Sequence, residues 1–433
     1  MEAVKGEISA PGGVTGSGNV FVINNNGDNA LTTLRYRLKS ADFQAAEDPF
    51  EAGGKSFRRG SYIVRNVSQG DLNSAAKELG VTAYAVASVP SVKMHPARAA
   101  RVAILHTWTS TQTEGWWRQA FDVAHVPFSY ISVQDVAKDP NLNAKYDVIL
   151  FPPSGNAQSI VQGMPMWRNP MPWKKTALTP NIGLWGQTDD IRPGLGLDGV
   201  QNLQNFVSKG GVLVGVSSTA DFAISYGFAD GVSKNTTGRG KIVGSLLRTR
   251  IVDDASPLVY GVSDSLAVYS EDGESFSVSN TRGGRGGGRF GGGEATRATG
   301  RGTIDDPDVV QGRPKLAERN MAPVRPSVEP WQAAPVTDEQ LRNPLSVIPP
   351  DQRPRVALRF TDQRDLLVSG LLDGGGDVAQ KPVVVDVPVQ KGHVVLFANN
   401  PIYRGETLGA YPLVFNAILN FDNLNAGRKL DDK

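Results

Sequence analysis

The chain contains no cysteine in 433 residues. This excludes disulfides, thiolate metal sites and a cysteine nucleophile, while leaving the redox compartment open. Histidine is nearly as scarce: the four are His95, His106, His125 and His393, far apart in sequence, and none is followed three residues later by an acid. No H-x-x-E or H-E-x-x-H zinc site can be written on this chain, so no metal and no cofactor are expected. No run reaches the roughly 18 apolar residues of a membrane span. Met1 to Gly6 lead into no apolar export-signal segment either. Lys+Arg 45 against Asp+Glu 43 leaves almost no net field, so neither nucleic acid nor a membrane surface is expected as a partner.

What is present is organised around residues 200–224. Val200, Leu203, Phe206 and Val207 recur at helical spacing, Lys209-Gly210-Gly211 stops the helix, and Val212 to Val216 is an unbroken apolar run. Such a run belongs in a parallel sheet covered on both faces. It ends at Ser217-Ser218-Thr219, and the next helix begins at Asp221. Ligands gather at the carboxyl ends of such strands, so Ser217 stands where a nucleophile would sit.

Residues 1–95 read as a small α/β unit. Val20–Ile23 is its first strand, Asn24 to Gly27 a turn, Asp28 a helix cap, Gly60–Val64 a strand, Asp71 a second cap, and Val81–Val86 a returning strand. After the basic linker Pro96 to Arg101, residues 96–280 open the main domain with Val102 to Leu105. His106 and Trp108 follow at that strand's carboxyl end, and Glu114, Trp116 and Trp117 begin the next helix. The indoles either line a ligand site or pack helix to sheet, with His106 then bonded to a backbone carbonyl. Asp147 to Phe151 is the next strand, with Ser154 in its terminal loop. The loop carrying Trp167, Trp173 and Trp185 lines a cleft, forms a lid or makes a subunit contact. Leu258–Val262 and Leu266–Tyr269 read as antiparallel additions. Residues 281–354 form an insertion: Arg282 to Gly291 is Gly/Arg-rich, too poor in apolar surface to order itself, and proline-studded sequence runs to Pro354. Two Arg-Gly-Gly repeats without net basic charge favour a flexible insertion over an RNA-binding tail. Residues 355–425 return to strands at Val356–Phe360, Val383–Val389 and His393–Phe397, and to a helix through Tyr411 and Leu419.

A helix, a strand, a sharp turn with a candidate nucleophile and a late strand ending in polar residues together resemble the class I glutamine amidotransferase-like, flavodoxin-like three-layer α/β fold. The resemblance implies a cysteine or serine nucleophile at the turn and a histidine ending the later strand. Here Thr219 replaces the last glycine of a G-x-S-x-G elbow. Asn399, which takes no proton near neutral pH, stands where the base would be. His393 begins that strand, about 15–20 Å from its end at roughly 3.3 Å per residue.

The phrases Gly210–Val214, Asp221–Ile224, Gly392–Phe397, Pro401–Thr407, Asp28–Leu31 and Gly60–Val64 resemble the region after the catalytic domain in large bacterial zinc carboxypeptidase-like proteins of the carboxypeptidase A superfamily. The resemblance implies a periplasmic or extracellular location and a zinc carboxypeptidase domain as partner, in cis or in trans. The zinc ligands and catalytic glutamate of that superfamily map to no residue here. The expected role is therefore non-catalytic binding or scaffolding, assisting peptide binding or subunit assembly, with self-association as one form. Candidate ligand-binding residues are His106, Trp108, Glu114, Ser154, Ser217, Ser218, Asn399 and Arg404. Two alternatives stay open. One is a serine hydrolase using Ser217 with His106 as base and Glu114 or Asp221 as orienter. The other is a carbohydrate-binding accessory domain stacking Trp108, Trp116 and Trp185 on sugar rings.

Overall fold

The computed structural model of the protein describes Gly6 and residues 11–167, 169–235, 241–282, 331–333, 336–342 and 344–430. The Gly/Arg-rich run from residue 283 and the proline-studded sequence up to residue 330 lie outside the described residues.

The N-terminal unit comprises β1 (Gly13–Gly16), β2 (Val20–Ile23), α1 (Ala30–Arg37), β3 (Asp42–Ala46), β4 (Phe50–Ala52), β5 (Lys55–Phe57), β6 (Tyr62–Arg65), α2 (Gln69–Leu79), β7 (Thr82–Val86) and β8 (Met94–Pro96). Six of the strands make one sheet in the order β1-β7-β2-β6-β3-β8. Phe21 and Ile23 face the main core, whereas Val20 and Val22 face a small cluster with Phe57 and Ile63. This is the two-residue period of a strand, and β2 is buried throughout because the β4–β5 hairpin covers its outer side. That hairpin turns on Gly53-Gly54, both at positive φ, as its two-residue loop demands. One of the two helix caps differs from expectation. At α1 the cap position falls on Asn29, which makes no side-chain cap bond, while Asp28 Oδ1 accepts the Ala30 N–H at 2.9 Å; at α2 Ser68 rather than Asp71 is the cap, its Oγ accepting the Asp71 N–H at 3.0 Å. The acid falls in the first turn, where the helix dipole favours it. Asn25 builds the turn, its Oδ1 accepting the Gly27 N–H at 3.0 Å.

The main domain alternates β9 (Val102–His106), α3 (Gln112–Val123), β10 (Phe128–Ser132), α4 (Val133–Lys138), β11 (Val148–Phe151), α5 (Ala157–Gln162), α6 (Gly196–Ser208), β12 (Val212–Val216) and α7 (Ser218–Ser225). It continues with β13 (Val232–Asn235), β14 (Lys241–Ile251), β15 (Ser265–Ser270), β16 (Ser275–Val278), α8 (Asp338–Leu341), β17 (Arg355–Phe360), β18 (Leu367–Asp373), β19 (Pro382–Val389), β20 (Gly392–Phe397) and α9 (Tyr411–Leu419). The large sheet runs β10-β9-β11-β12-β20-β19-β17-β14-β15, with β18 also on β14. Its first five strands are parallel, and in chain order they read 2-1-3-4-5, the flavodoxin-like arrangement. The fold is α/β and flavodoxin-like, with antiparallel strands added beyond β20. Every residue of β9, β11, β12 and β20 is buried, as sheets covered by helices require. Leu258–Val262, expected as an antiparallel run, instead begins with a 3-10 turn, Pro257–Val259; the proline has no N–H for a ladder.

One continuous core joins the two units. Tyr36 Oη donates to Ala100 O at 2.8 Å and Thr33 Oγ1 to Ala124 O at 2.8 Å. His95 Nε2 meets Asn420 Oδ1 at 3.0 Å. These bonds satisfy polar groups that the shared core takes out of water.

Between β12 and α7, Ser217 adopts φ 52° and ψ −111°, a backbone region costing a non-glycine residue about 1–3 kcal/mol. Thr219 holds it there. Fully buried, its Oγ1 accepts the Val216 N–H at 2.8 Å and donates within the pair Val216 O, at 3.0 Å, and Phe151 O. The Ser217 N–H donates to Phe397 O at 2.8 Å. Gly215 permits the close approach, since a Cβ there would lie 3.1 Å from Ala220 Cα.

Farther along the sheet, Asp386 is buried between His393 Nδ1 at 2.7 Å and Arg428 Nη2 at 3.2 Å. Burial alone would raise its pKa; the neighbouring charges of His393 and Arg428 outweigh burial and hold the carboxyl below its ordinary range.

Asp386→Ala leaves the buried Arg428 guanidinium without a counter-charge and is expected to cost about 3–5 kcal/mol, read as a lowered urea midpoint. A carboxylate with a depressed folded pKa contributes stability that is present above about pH 3.9 and lost as pH falls through the folded value. Acid unfolding of Asp386→Asn should accordingly be flatter below that pH, and an unchanged acid profile counts against the ion cluster. At the turn, Thr219→Val should cost about 1–3 kcal/mol by orphaning the Val216 N–H. Ser217→Gly, which relieves the strained φ, should be neutral or stabilising in the same urea assay.

Candidate functional site

The strand order reverses between β9 and β11, and open α/β sheets place ligands outside the strand carboxyl ends at such a point. β9 ends on His106, and the loop after β11 carries Ser154. A line of hydroxyls ties these ends together. Ser218 Oγ donates to Ser154 O at 2.8 Å and accepts the Ser154 N–H at 3.0 Å. Ser154 Oγ lies 2.7 Å from Thr107 Oγ1, and His106 Nδ1 lies 3.2 Å from Thr107 O. A neutral ring therefore donates Nδ1–H to that carbonyl.

Beyond His106 opens a cavity of about 240 Å³, lined by Trp108, Glu114, Arg118, Tyr130, Trp173 and Trp185 among others. The His106 ring is stacked on Tyr130 at 4.0 Å and meets Trp108 edge-on at 4.9 Å. Glu114, 2% exposed, accepts Tyr130 Oη at 2.7 Å and Arg118 Nε at 2.9 Å. The Arg118 guanidinium lies 4.7 Å from the Tyr130 centroid and 5.0 Å from that of Trp185. The Trp108 Nε1 is buried without a hydrogen-bond partner.

Burial pushes the His106 imidazole down to about 4; Arg118 lowers it further, while Thr107 O and Asp135 oppose. Burial pushes the Glu114 carboxyl up, against Tyr130 and Arg118. Burial and then Glu114 raise the Tyr130 phenol well above its ordinary range. Near neutral pH the cavity thus holds a neutral imidazole, a protonated phenol and a carboxyl–guanidinium pair.

His106, Trp108 and Glu114 come together as the sequence places them, and Ser154 pairs with Ser218. The carbonyl bond expected of His106 is present, and Trp117 packs in the core with its Nε1 3.3 Å from Asn400 Oδ1. His106 Nδ1 bonds to Thr107 O and neither ring nitrogen is hydrogen-bonded to Ser217, while Glu114 bonds to Tyr130 and Arg118 and not to His106. Asp221 meets Ser217 only through its backbone, its N–H donating to Ser217 O at 3.1 Å. Asn399 is 2% exposed with neither amide atom partnered. Arg404 stands apart from the cavity, exposed at φ 50° with its guanidinium over Tyr403; the left-handed turn keeps it beside its own neighbour. Arg118 and Tyr130 were not among the expected residues. The spacing of Glu114 and Arg118, four apart on a helix, was the available signal for the first. Among the described residues, no three acids or histidines gather to hold a metal ion, and no helix is long and apolar enough to cross a membrane.

No protein-family model matches the chain, and no curated protein matches it. Among solved structures, it is similar to a ThuA-like protein from Bacteroides uniformis, with 10% identity, a TM-score of 0.34, and coverage of 74% of this chain and 90% of that one. It is similar to PurLQS from Thermotoga maritima, with 11% identity, a TM-score of 0.35, and coverage of 74% and 98%. It is similar as well to a β-galactosidase from Bacillus circulans sp. alkalophilus, with 8% identity and a TM-score of 0.31, covering 81% of this chain and 33% of that one.

Proposed function

We propose that the protein is a non-catalytic binding module that takes a single neutral, hydroxyl-rich ring, a sugar residue, in the cavity above β9. One observation carries this reading: three indoles line a space whose charged lining residues among those described, Glu114 and Arg118, are paired with each other. An anionic or cationic ligand gains little from such a pair, whereas a ring with an apolar face gains a stacking surface. The unpartnered Trp108 N–H supports a ligand bearing acceptors, because a buried donor left unbonded costs about 1–3 kcal/mol. About 240 Å³ is below the roughly 300–1,000 Å³ of drug-sized ligand sites, which suits one ring and not a chain. The sequence phrases shared with carboxypeptidase-like proteins support an accessory role beside a zinc carboxypeptidase domain outside the cytoplasm. In that setting a peptide is the competing ligand, and exposed Met166, Trp167, Leu178 and Leu184 on the loop before α6 support a partner or a second copy covering that loop.

A second reading, serine hydrolysis at Ser217, is favoured by the strained φ of that residue, since such strain gathers at active sites. What it lacks is contact: His106 Nδ1 is bonded to Thr107 O, neither ring nitrogen is hydrogen-bonded to Ser217, and burial lowers the basicity of the imidazole.

Tryptophan fluorescence titrated with methyl glycosides is expected to change saturably, and Trp185→Ala to weaken binding about tenfold, the loss of one stacking face at about 1.4 kcal/mol. A response to short peptides and none to glycosides overturns the sugar reading. Affinity should fall as pH falls, first as the raised Glu114 carboxyl takes a proton and leaves Arg118 unneutralised, and again as His106 takes a proton near pH 4, which adds a cation beside Arg118. A binding transition near pH 6.5, the ordinary imidazole value, that His106→Asn abolishes would count against the burial of His106 in the cavity. Fluorophosphonate labelling of Ser217 that Ser217→Ala abolishes would restore the hydrolase.

A further inference from the structure

The amino end of β9 opens on a cleft of about 670 Å³ between the N-terminal unit and the main domain, lined by Arg35, Lys39, Arg98, Arg101, Lys145 and Tyr146 among others. This volume is within the range of small-molecule sites. It is a strand-length from the aromatic cavity, about 16 Å for five residues.

Its charges do not cancel. Arg98 pairs with Asp422 at 3.3 Å, Arg101 with Asp147 at 2.7 Å and Lys145 with Asp139 at 2.8 Å. Lys39 has no carboxylate partner among the described residues. Arg35 is 7% exposed, and its guanidinium donates to the carbonyls of Ala97 at 2.7 Å, Leu38 at 3.1 Å and Lys39 at 3.3 Å. The carboxylate acting on it from a distance is that of Asp42, which is bonded to Arg65 at 2.5 Å. Carbonyls satisfy the hydrogen-bonding of a buried guanidinium without neutralising it, and a buried charge ordinarily has a counter-charge. Five cations less three carboxylates leave two positive charges in the cleft. The chain as a whole carries only +2 over 433 residues, so the local excess is not a reflection of bulk charge.

We propose that this cleft binds a phosphate-bearing small molecule, its dianionic group held between Arg35 and Lys39. With Nε and Nη1 taken by the three carbonyls, Arg35 keeps its Nη2 donors, and these together with the point charge of Lys39 suit a phosphoryl group; Tyr146 lines the cleft beside them. A free phosphate and a phosphate monoester share this chemistry.

Isothermal titration at low ionic strength with inorganic phosphate and with phenyl phosphate separates the two sources. Saturable binding of either is expected, tighter for phenyl phosphate if a monoester is the natural ligand, and weakened at 0.5 M salt, where the Debye length falls to about 4 Å. Lys39 is exposed, so Lys39→Glu should keep the parent urea midpoint; it is expected to weaken phosphate binding at least tenfold, with Lys39→Arg restoring it. Trp185→Ala, at the other end of β9, should bind phosphate as the parent does. No saturable binding by the parent, or equal affinity in Lys39→Glu, overturns the proposal.

Discussion

The hydroxyl of Thr219 fixes the carboxyl edge of the sheet. By accepting the Val216 N–H and donating within the turn, it replaces bonds that a tight strand-to-helix reversal would leave unmade, and such orphans are costly inside a core. The consequence propagates sideways. With the turn closed, Ser218 reaches across to both backbone groups of Ser154, Ser154 meets Thr107, and the Thr107 carbonyl orients His106. Four short polar side chains thereby register β9, β11 and β12 at their ends, beyond the backbone ladder. The cavity stands on the last member of this series.

The parallel strands were legible because burial on both faces leaves unbroken runs such as Val212–Val216 and His393–Phe397, which no polar alternation interrupts. Their spatial order was not, since it depends on which strands pair, and pairing across long separations leaves no local trace. The half-exposed β18 carries a mixed pattern and gives little signal at all. Gly53-Gly54 between Phe50-Glu51-Ala52 and Lys55-Ser56-Phe57 was a hairpin signal that the strand reading of residues 1–95 passes over. Pro257 likewise argued against a strand through Leu258.

The site divides along the same line. His106, Trp108 and Glu114 were readable because a strand end and the following helix turn are close in sequence. Tyr130 was not: it reaches the site only because β10 pairs with β9 in register, Tyr130 opposite Ile104 and Ser132 opposite His106. Residues two apart on a strand share a face, so the Tyr130 ring comes to lie on that of His106. Arg404 was expected from its place in the Pro401–Thr407 phrase after the late strand, and a loop's path after its strand is the part of a fold that sequence constrains least.

A strained serine on a sharp turn invites a catalytic assignment, but strain and catalysis are separable. The cost of the Ser217 conformation is met by the surrounding bonds whether or not its hydroxyl reacts, because Thr219, Phe397 and the close approach at Gly215 together determine the backbone. A nucleophile needs in addition an acceptor whose proton affinity suits neutral pH. Burial between Tyr130 and Trp108 removes that property from His106, and it does so by the same aromatic packing that forms the cavity. Making the imidazole a competent base would require opening those walls to water. The aromatic packing that forms the cavity is thus the packing that lowers the basicity of His106, so both properties rest on this one side chain.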